Sequence, residues 1–261
     1  MLLFLFVVFS LGLFTGSFMN VVIDRFPNKR TIVKGRSKCD FCNKKLMWFE
    51  LIPVFSFIFL KRRCRYCKKK LSFQYPIIEI VTGILFASSF IYSANLSPFL
   101  TFDFFISLIF SIIISSMLLL IFMIDLKYGI IPDEILIILT FVSLVYLFLS
   151  KNILLSYFST ALISFLFFLI LIVITKGKGM GMGDAKFAFL IGLILGFPLT
   201  IISIYLAFLT GALVSIILIL LSIKKIKKDT IAFGPFLAGC TLVVYFFGNQ
   251  ILKFLINIIN F

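Results

Sequence analysis

Two aspartates carry the hydrolytic chemistry open to this chain. Asp184 ends a run of alternating glycines, Lys176-Gly-Lys-Gly-Met-Gly-Met-Gly-Asp-Ala-Lys186. Asp125 closes the apolar run 104–124, in Met123-Ile-Asp-Leu-Lys-Tyr-Gly-Ile-Ile-Pro-Asp133. Glycines leave the backbone free of Cβ bulk, so Gly181 and Gly183 would let a substrate backbone approach. Two carboxylates held a few ångströms apart do not both ionise readily and share a proton. The ionised member takes a proton from water while the protonated one polarises a carbonyl. That hydrolyses a peptide bond with neither a metal nor a covalent intermediate. Taken singly, each acid could equally be a helix cap or a salt-bridge partner. The chain has no histidine, which removes His-ligated metal hydrolases and Ser-His or Cys-His nucleophile pairs.

Four cysteines form the second set. Cys39-Asp-Phe-Cys42 and Cys64-Arg-Tyr-Cys67 are two CxxC pairs separated by 21 residues, a spacing that fits a tetrahedral four-cysteine zinc site. Neighbouring Lys and Arg favour thiolates, and a cytoplasmic position argues against disulfides, the alternative pairing. A closed shell of four thiolates is structural, and it would supply folding energy to a region too polar to build its own core. Cys240 reads as a small buried hydrophobe. Three further residues are secondary candidates. Glu79 lies inside an apolar span, where an acid is functional by default, or else a structural partner for the insert. Asn20, with Gly16 and Ser17, marks tight helix packing. Asp133 follows Pro132, which is ordinary helix-start chemistry.

Positioning these residues falls to membrane helices. The chain is 62% hydrophobic with 36 Phe, and its mean hydropathy is +1.22. Several runs reach the ~20 residues that cross a hydrocarbon core, and alternating strand patterns are absent. The expected fold is an all-α polytopic membrane protein with about eight transmembrane or membrane-inserted helices and a small cytoplasmic zinc insert after the first. The spans fall at 1–23, 77–94, 104–124, 131–149, 154–174, a short 185–197, 199–221 and 236–258. Three regions follow: a first helix (1–24), a basic zinc insert (25–75) and a membrane domain (76–261). The net charge is +15, and residues 25–70 hold 15 Lys/Arg against Asp40 and Glu50. By the positive-inside rule this places the insert in the cytoplasm and both termini outside. It also favours anionic lipid headgroups over nucleic acid as the partner of the basic segment. The first span is read as retained, not as a removed signal. The apolar stretch Trp48 to Leu60, broken by Pro53, is expected to lie at the membrane surface or against the bundle without spanning it. With this topology Asp125 and Asp184 both fall at the inner face. No strong internal repeat is expected.

The chain resembles the type IV prepilin peptidases, a branch of the Gly-x-Gly-Asp intramembrane aspartyl proteases. The resemblance rests on Gly16-Ser-Phe-Met-Asn-Val-Val-Ile-Asp-Arg-Phe-Pro27, both CxxC pairs, Leu51-Ile-Pro-Val-Phe-Ser56 and Tyr75-Pro-Ile-Ile-Glu79. It continues through Asp125, Ile131-Pro-Asp133, Gly181-Met-Gly-Asp184 and Phe233-Gly-Pro-Phe-Leu-Ala238. It implies removal of prepilin or pseudopilin leaders at the cytoplasmic face of the bacterial inner membrane, with Asp125 and Asp184 as the catalytic pair. It further implies N-methylation of the new N-terminus from S-adenosylmethionine, for which Gly16, Asn20, Glu79 and the insert are candidates. The family often has Tyr or His where this chain has Asp24. A basic insert would repel a basic leader, so it is not expected to be the main leader-binding surface.

Two other classes compete. A cation transporter could use both aspartates as ion ligands, but it predicts acids near mid-membrane on broken helices. A zinc or redox sensor could use the cysteines, but it leaves the aspartates and the glycine run unexplained.

Overall fold

The computed structural model describes residues 1–26, 37–39, 41–150, 154–177, 179–221 and 232–259. Part of the basic segment (27–36 and Asp40), the expected turn at Lys151-Asn152, and the lysine cluster 224–228 lie outside the described residues. Among the described residues the regular elements are helices, and the only strand-like features are two isolated bridges. The chain divides into two compact units, Met1–Ser116 and Met117–Phe261.

The N-terminal unit is built on α1 (Leu2–Arg25) and α3 (Gln74–Leu96). Inside lipid a backbone must satisfy its own hydrogen bonds, and a continuous apolar run does so as a helix. Small residues set how closely the two helices approach. A β-carbon on Gly12 would lie 2.7 Å from Gly83 Cα, and one on Gly16 would lie 2.7 Å from Glu79 Cα. Larger residues there would force the helices apart. Beyond α3, the first half of α4 (Phe102–Tyr128) buries Phe104 and Leu108 against Phe90. The Phe90, Phe99 and Phe104 rings meet edge to face. Between α1 and α3 lie a 3₁₀ turn (Trp48–Leu51) and the five-residue α2 (Phe55–Phe59). These pieces are too short to span a membrane, in line with the expectation for this stretch. Trp48 and Phe59 are about four-fifths exposed.

The C-terminal unit holds the end of α4, then α5 (Asp133–Leu149), α6 (Leu154–Ile174), α7 (Met182–Leu195), α8 (Leu199–Leu220) and α9 (Gly234–Ile259). α7 is its core, with Asp184, Ala185, Phe187, Ala188 and the whole run Leu190–Leu195 buried. Gly192 lies directly on Ala161 of α6, where a β-carbon would overlap the Ala161 backbone. α8 and α9 meet through a Ser203–Thr241 hydroxyl pair at 3.1 Å.

Six helices, α1, α3, α4, α6, α8 and α9, are long and apolar enough to cross a membrane. With 17 and 14 residues, α5 and α7 are shorter. At 1.5 Å per residue α7 runs about 21 Å, against a hydrocarbon core of about 30 Å. Together these make eight long helices among the described residues, the make-up of a polytopic α-helical membrane protein. The short helix expected from Ala185 to about Phe197 differs at both ends. It begins at Met182, because Asp184 caps it, and it ends at Leu195, where Gly196 turns to φ 65°.

Candidate functional site

Asp125 lies in the last turn of α4, which Gly129 ends at φ 68° with its N–H on the Asp125 carbonyl at 2.8 Å. A positive φ is cheap for glycine alone. Asp184 is the third residue of α7, and its Oδ2 accepts the Gly181 N–H at 2.9 Å. An acid in the first turn also meets the positive end of the helix dipole, so Asp184 has a capping role whatever else it does. Both carboxylates are buried, at 4% and 8% exposure. They are close enough for the charge of Asp184 to act on Asp125, and the Gly234 N–H donates to the Asp125 carboxylate.

Backbone without side chains surrounds the pair. A β-carbon on Gly234 would collide with Asp125 Oδ2 and stand 3.1 Å from Ile131 Cδ1. One on Gly183 would stand 3.3 Å from Ile131 Cβ. Ile131 is thus wedged between the glycine before Asp184 and the glycine against Asp125. Gly181 is less crowded, with ordinary van der Waals space around its missing β-carbon. Asp133 stands apart in an exposed ion pair with Lys186 at 2.7 Å, joining the start of α5 to the second turn of α7. Sequence reasoning gave no role to Gly234, Ile131 or Lys186. The Gly-Pro step at 234–235, a helix-start signal, was the available clue to Gly234.

In the N-terminal unit Cys39, Cys42, Cys64 and Cys67 converge, their sulfurs all within 4.8 Å of one another. The Cys39 and Cys67 sulfurs are 3.9 Å apart. This cluster could hold a metal ion. Each CxxC pair turns on the same hairpin. Cys39 N–H donates to Lys44 O at 3.0 Å, and Cys64 N–H donates to Lys69 O at 2.9 Å. Asn43 and Lys68, each four residues after the first cysteine, take positive φ. The two hairpins form an internal repeat that was not expected. Ser37-Lys-Cys-Asp-Phe-Cys-Asn-Lys-Lys-Leu46 matches Arg62-Arg-Cys-Arg-Tyr-Cys-Lys-Lys-Lys-Leu71 in its cysteines, aromatic, lysines and leucine. Their cation–π contacts are reciprocal, with Lys44 over the Tyr66 ring and Lys69 over the Phe41 ring. Burial pushes the Cys39 thiol up to about 11. Burial also opposes ionisation of Cys64, but backbone N–H groups of Cys67 and Tyr66, helped by the neighbouring sulfurs, bring it down to about 7.

Glu79 fastens this insert to α3, and Asn20 ties α1 to the first turn of α3. Glu79 Oε2 accepts the Val54 N–H at 2.7 Å. Val54 has φ 63° and ψ −50°, and Phe55 N–H closes a three-residue turn onto Pro53 O at 2.6 Å, a strained form for a β-branched residue. Asn20 Nδ2 donates to the carbonyls of Gly16 and Tyr75, each at 3.2 Å. The Tyr75 hydroxyl donates to Asp24 Oδ2 at 3.3 Å.

Two family models match successive parts of the chain. The bacterial peptidase A24 N-terminal domain matches residues 10–93, and the type IV leader peptidase family matches residues 112–216. The chain is 48% identical over 84 residues to the prepilin leader peptidase/N-methyltransferase of Myxococcus xanthus, covering 32% of this chain and 25% of that one. It is 42% identical over 83 residues to the protein of that name in Bacillus subtilis, covering 32% and 34%. It is 34% identical over 93 residues to a type 4 prepilin-like proteins leader peptide-processing enzyme of Escherichia coli, covering 29% and 35%. The matched stretches thus span a quarter to about a third of these relatives. No solved structure matches. With both models matched in order along the chain, it belongs to the type IV leader peptidase family.

Proposed function

We propose that this protein is a membrane aspartyl endopeptidase that removes the leaders of type IV prepilins or pseudopilins, with Asp125 and Asp184 as its catalytic pair. The observation that carries this reading is two buried carboxylates, near enough for the charge of Asp184 to act on Asp125 and each steadied by a backbone N–H, at the end of α4 and the start of α7. In the proposed reaction one carboxylate is ionised and accepts a proton from water. The other is protonated and donates to the scissile carbonyl oxygen. The hydroxyl adds to the carbonyl carbon, the C–N bond breaks, and nitrogen leaves with a proton. Gly181 leaves the substrate backbone room beside the pair, whereas the bare face of Gly183 is taken up by Ile131. The topology proposed with it puts both termini outside and the carboxylates and the insert at the cytoplasmic face of the bacterial inner membrane.

Within this reading the insert of residues 25–75 carries a structural zinc on Cys39, Cys42, Cys64 and Cys67, and residues 76–261 form the protease domain. A tetrahedron with Zn–S bonds of about 2.3 Å has sulfurs about 3.8 Å apart, and the Cys39–Cys67 separation is 3.9 Å. The reading includes N-methylation of the newly freed N-terminus, with S-adenosylmethionine supplying the methyl group. The test is leader removal from a co-expressed prepilin. Asp125→Asn and Asp184→Asn keep the size and remove the acid, and each is expected to lower the rate by about 10²–10⁴-fold. Near-normal cleavage by either variant, at equal protein level, would make that residue structural.

A further inference from the structure

The second cysteine hairpin carries charges that its fold does not require. The two hairpins close with the same backbone hydrogen bonds, yet the first has Ser37, Asp40 and Asn43 where the second has Arg62, Arg65 and Lys68. Arg62 is explained locally. Its guanidinium lies 3.8 Å from the centre of the Phe73 ring, and its Nε donates to the Leu71 carbonyl. Arg65 has only the Phe49 ring, at 5.3 Å, a modest contact at an exposed site. Lys68 takes φ 57° where Asn43 takes 55°, a conformation that asparagine adopts more readily than lysine. The turn therefore gives no reason for lysine at 68.

Arg65 and Lys68 join Lys61 and Arg63 in the wall of a cleft of about 580 Å³. Phe59 and Leu60 give it an apolar side, and no acid lines it. All four cations are exposed, and none has an acidic partner among the described residues. Cations gathered around one concave surface attract an anion.

The neighbouring α2 narrows the choice of anion. Phe55, Ile58 and Phe59, at spacings of three and four, form one face of α2, and each is more than half exposed. Phe57, on another side, meets the Phe73 ring at 5.7 Å. The Val54 N–H just before α2 is held by Glu79, five residues into α3, which is about 8 Å along that helix. α3 is long and apolar enough to span a membrane, so α2 lies beside the end of a span. An apolar face there suits acyl chains, and adjacent cations suit anionic headgroups. A soluble anion would leave the α2 face unexplained.

We propose that α2 and the second cysteine hairpin bind an anionic glycerophospholipid. Its phosphate sits among Lys61, Arg63, Arg65 and Lys68, and the Phe55, Ile58 and Phe59 face rests among the acyl chains. This site is separate from the proposed peptidase chemistry and does not rest on it.

The test uses the purified full-length, metal-loaded protein. In mild detergent it is titrated with short-chain phosphatidylglycerol or phosphatidylcholine, and bound lipid is counted by native mass spectrometry. Phosphatidylglycerol binds at least about tenfold more tightly. Arg65→Asp with Lys68→Asn places the first hairpin's own residues in the second, so the turn and the metal site are kept, which metal content checks. That variant loses the preference. Lys45→Asp with Lys70→Asn removes the same charge from exposed hairpin positions outside the cleft and keeps it. Trp48 is the only tryptophan of the chain, so Trp48→Phe with Phe59→Trp reports on the α2 face alone. In nanodiscs containing phosphatidylglycerol with brominated chains, its fluorescence is quenched. Equal affinity for the two lipids overturns the proposal, and so does equal loss of preference in the two charge variants. An unquenched tryptophan at 59 puts α2 in water and overturns it as well. Displacement of phosphatidylglycerol by inorganic phosphate would assign the cleft to a soluble anion instead. The comparison of the two lipids on wild-type protein decides the matter even if a variant fails to fold.

Discussion

The glycine that faces Asp125 shows how narrow the tolerance around the carboxylates is. Any side chain at Gly234 would press on Asp125 and on Ile131, and would displace the N–H that steadies the carboxylate. Displacing a catalytic group by about 1 Å can cost about 10²-fold in rate. Gly234→Ala should therefore lower leader cleavage on that scale, measured at matched protein level. Gly183→Ala, whose new methyl meets Ile131 at 3.3 Å, should cost less. Asp133 gives the contrasting case. Its ion pair with Lys186 is exposed on both sides, and such pairs contribute ~0–1 kcal/mol. Asp133→Asn should leave cleavage within about twofold and barely move the melting temperature. Both acids of the proposed pair stood out in the sequence, because each stands where apolar residues end. Gly234 was not, because its importance comes from a contact about a hundred positions away along the chain.

Helix placement was the most legible feature, since hydropathy in a membrane chain reports directly on where the backbone must bond to itself. The expected and observed spans differ by only a few residues. The differences have local causes, such as the Asp184 cap that adds a first turn to α7. The cysteine hairpins were harder to read. Their repeat is carried by a handful of positions and has no hydrophobic period, so it becomes plain only when the reciprocal lysine–aromatic contacts are seen. The contact between α1 and α3 supplies an element-scale prediction. Gly16 has Glu79 Cα and Thr82 Oγ1 at 2.7 and 3.0 Å from where its β-carbon would stand, and backbone cannot step aside. Gly16→Leu should lose the folded N-terminal unit, seen as rapid proteolysis. Gly83→Ala should be milder, because its nearest neighbours are the Phe9 ring and the end of the Leu13 side chain.

Across the whole molecule, the four thiols and the two carboxylates belong to different units, so their losses should be separable. Removing the metal with a chelator, or Cys39→Ser with Cys64→Ser, should destabilise the insert. The chemistry at Asp125 and Asp184 should survive wherever the protein still accumulates. Metal affinity should fall with falling pH, because protons compete for the thiolates. Cys39, held up near 11 without metal, should release its proton on metal uptake at neutral pH, readable as acidification of a weakly buffered solution. α7 carries a different consequence, which concerns how the chain is made. At 14 residues it is shorter than any of the six long apolar helices, yet it carries Asp184 and is buried almost throughout. A segment so short cannot be captured by lipid on its own during synthesis. It should enter as the second leg of a hairpin with α6, which is already made, with Gly192 settling onto Ala161. A bulky residue at 192 would then act during biogenesis, leaving a polypeptide that is synthesised at the normal rate but inserted incompletely and cleared.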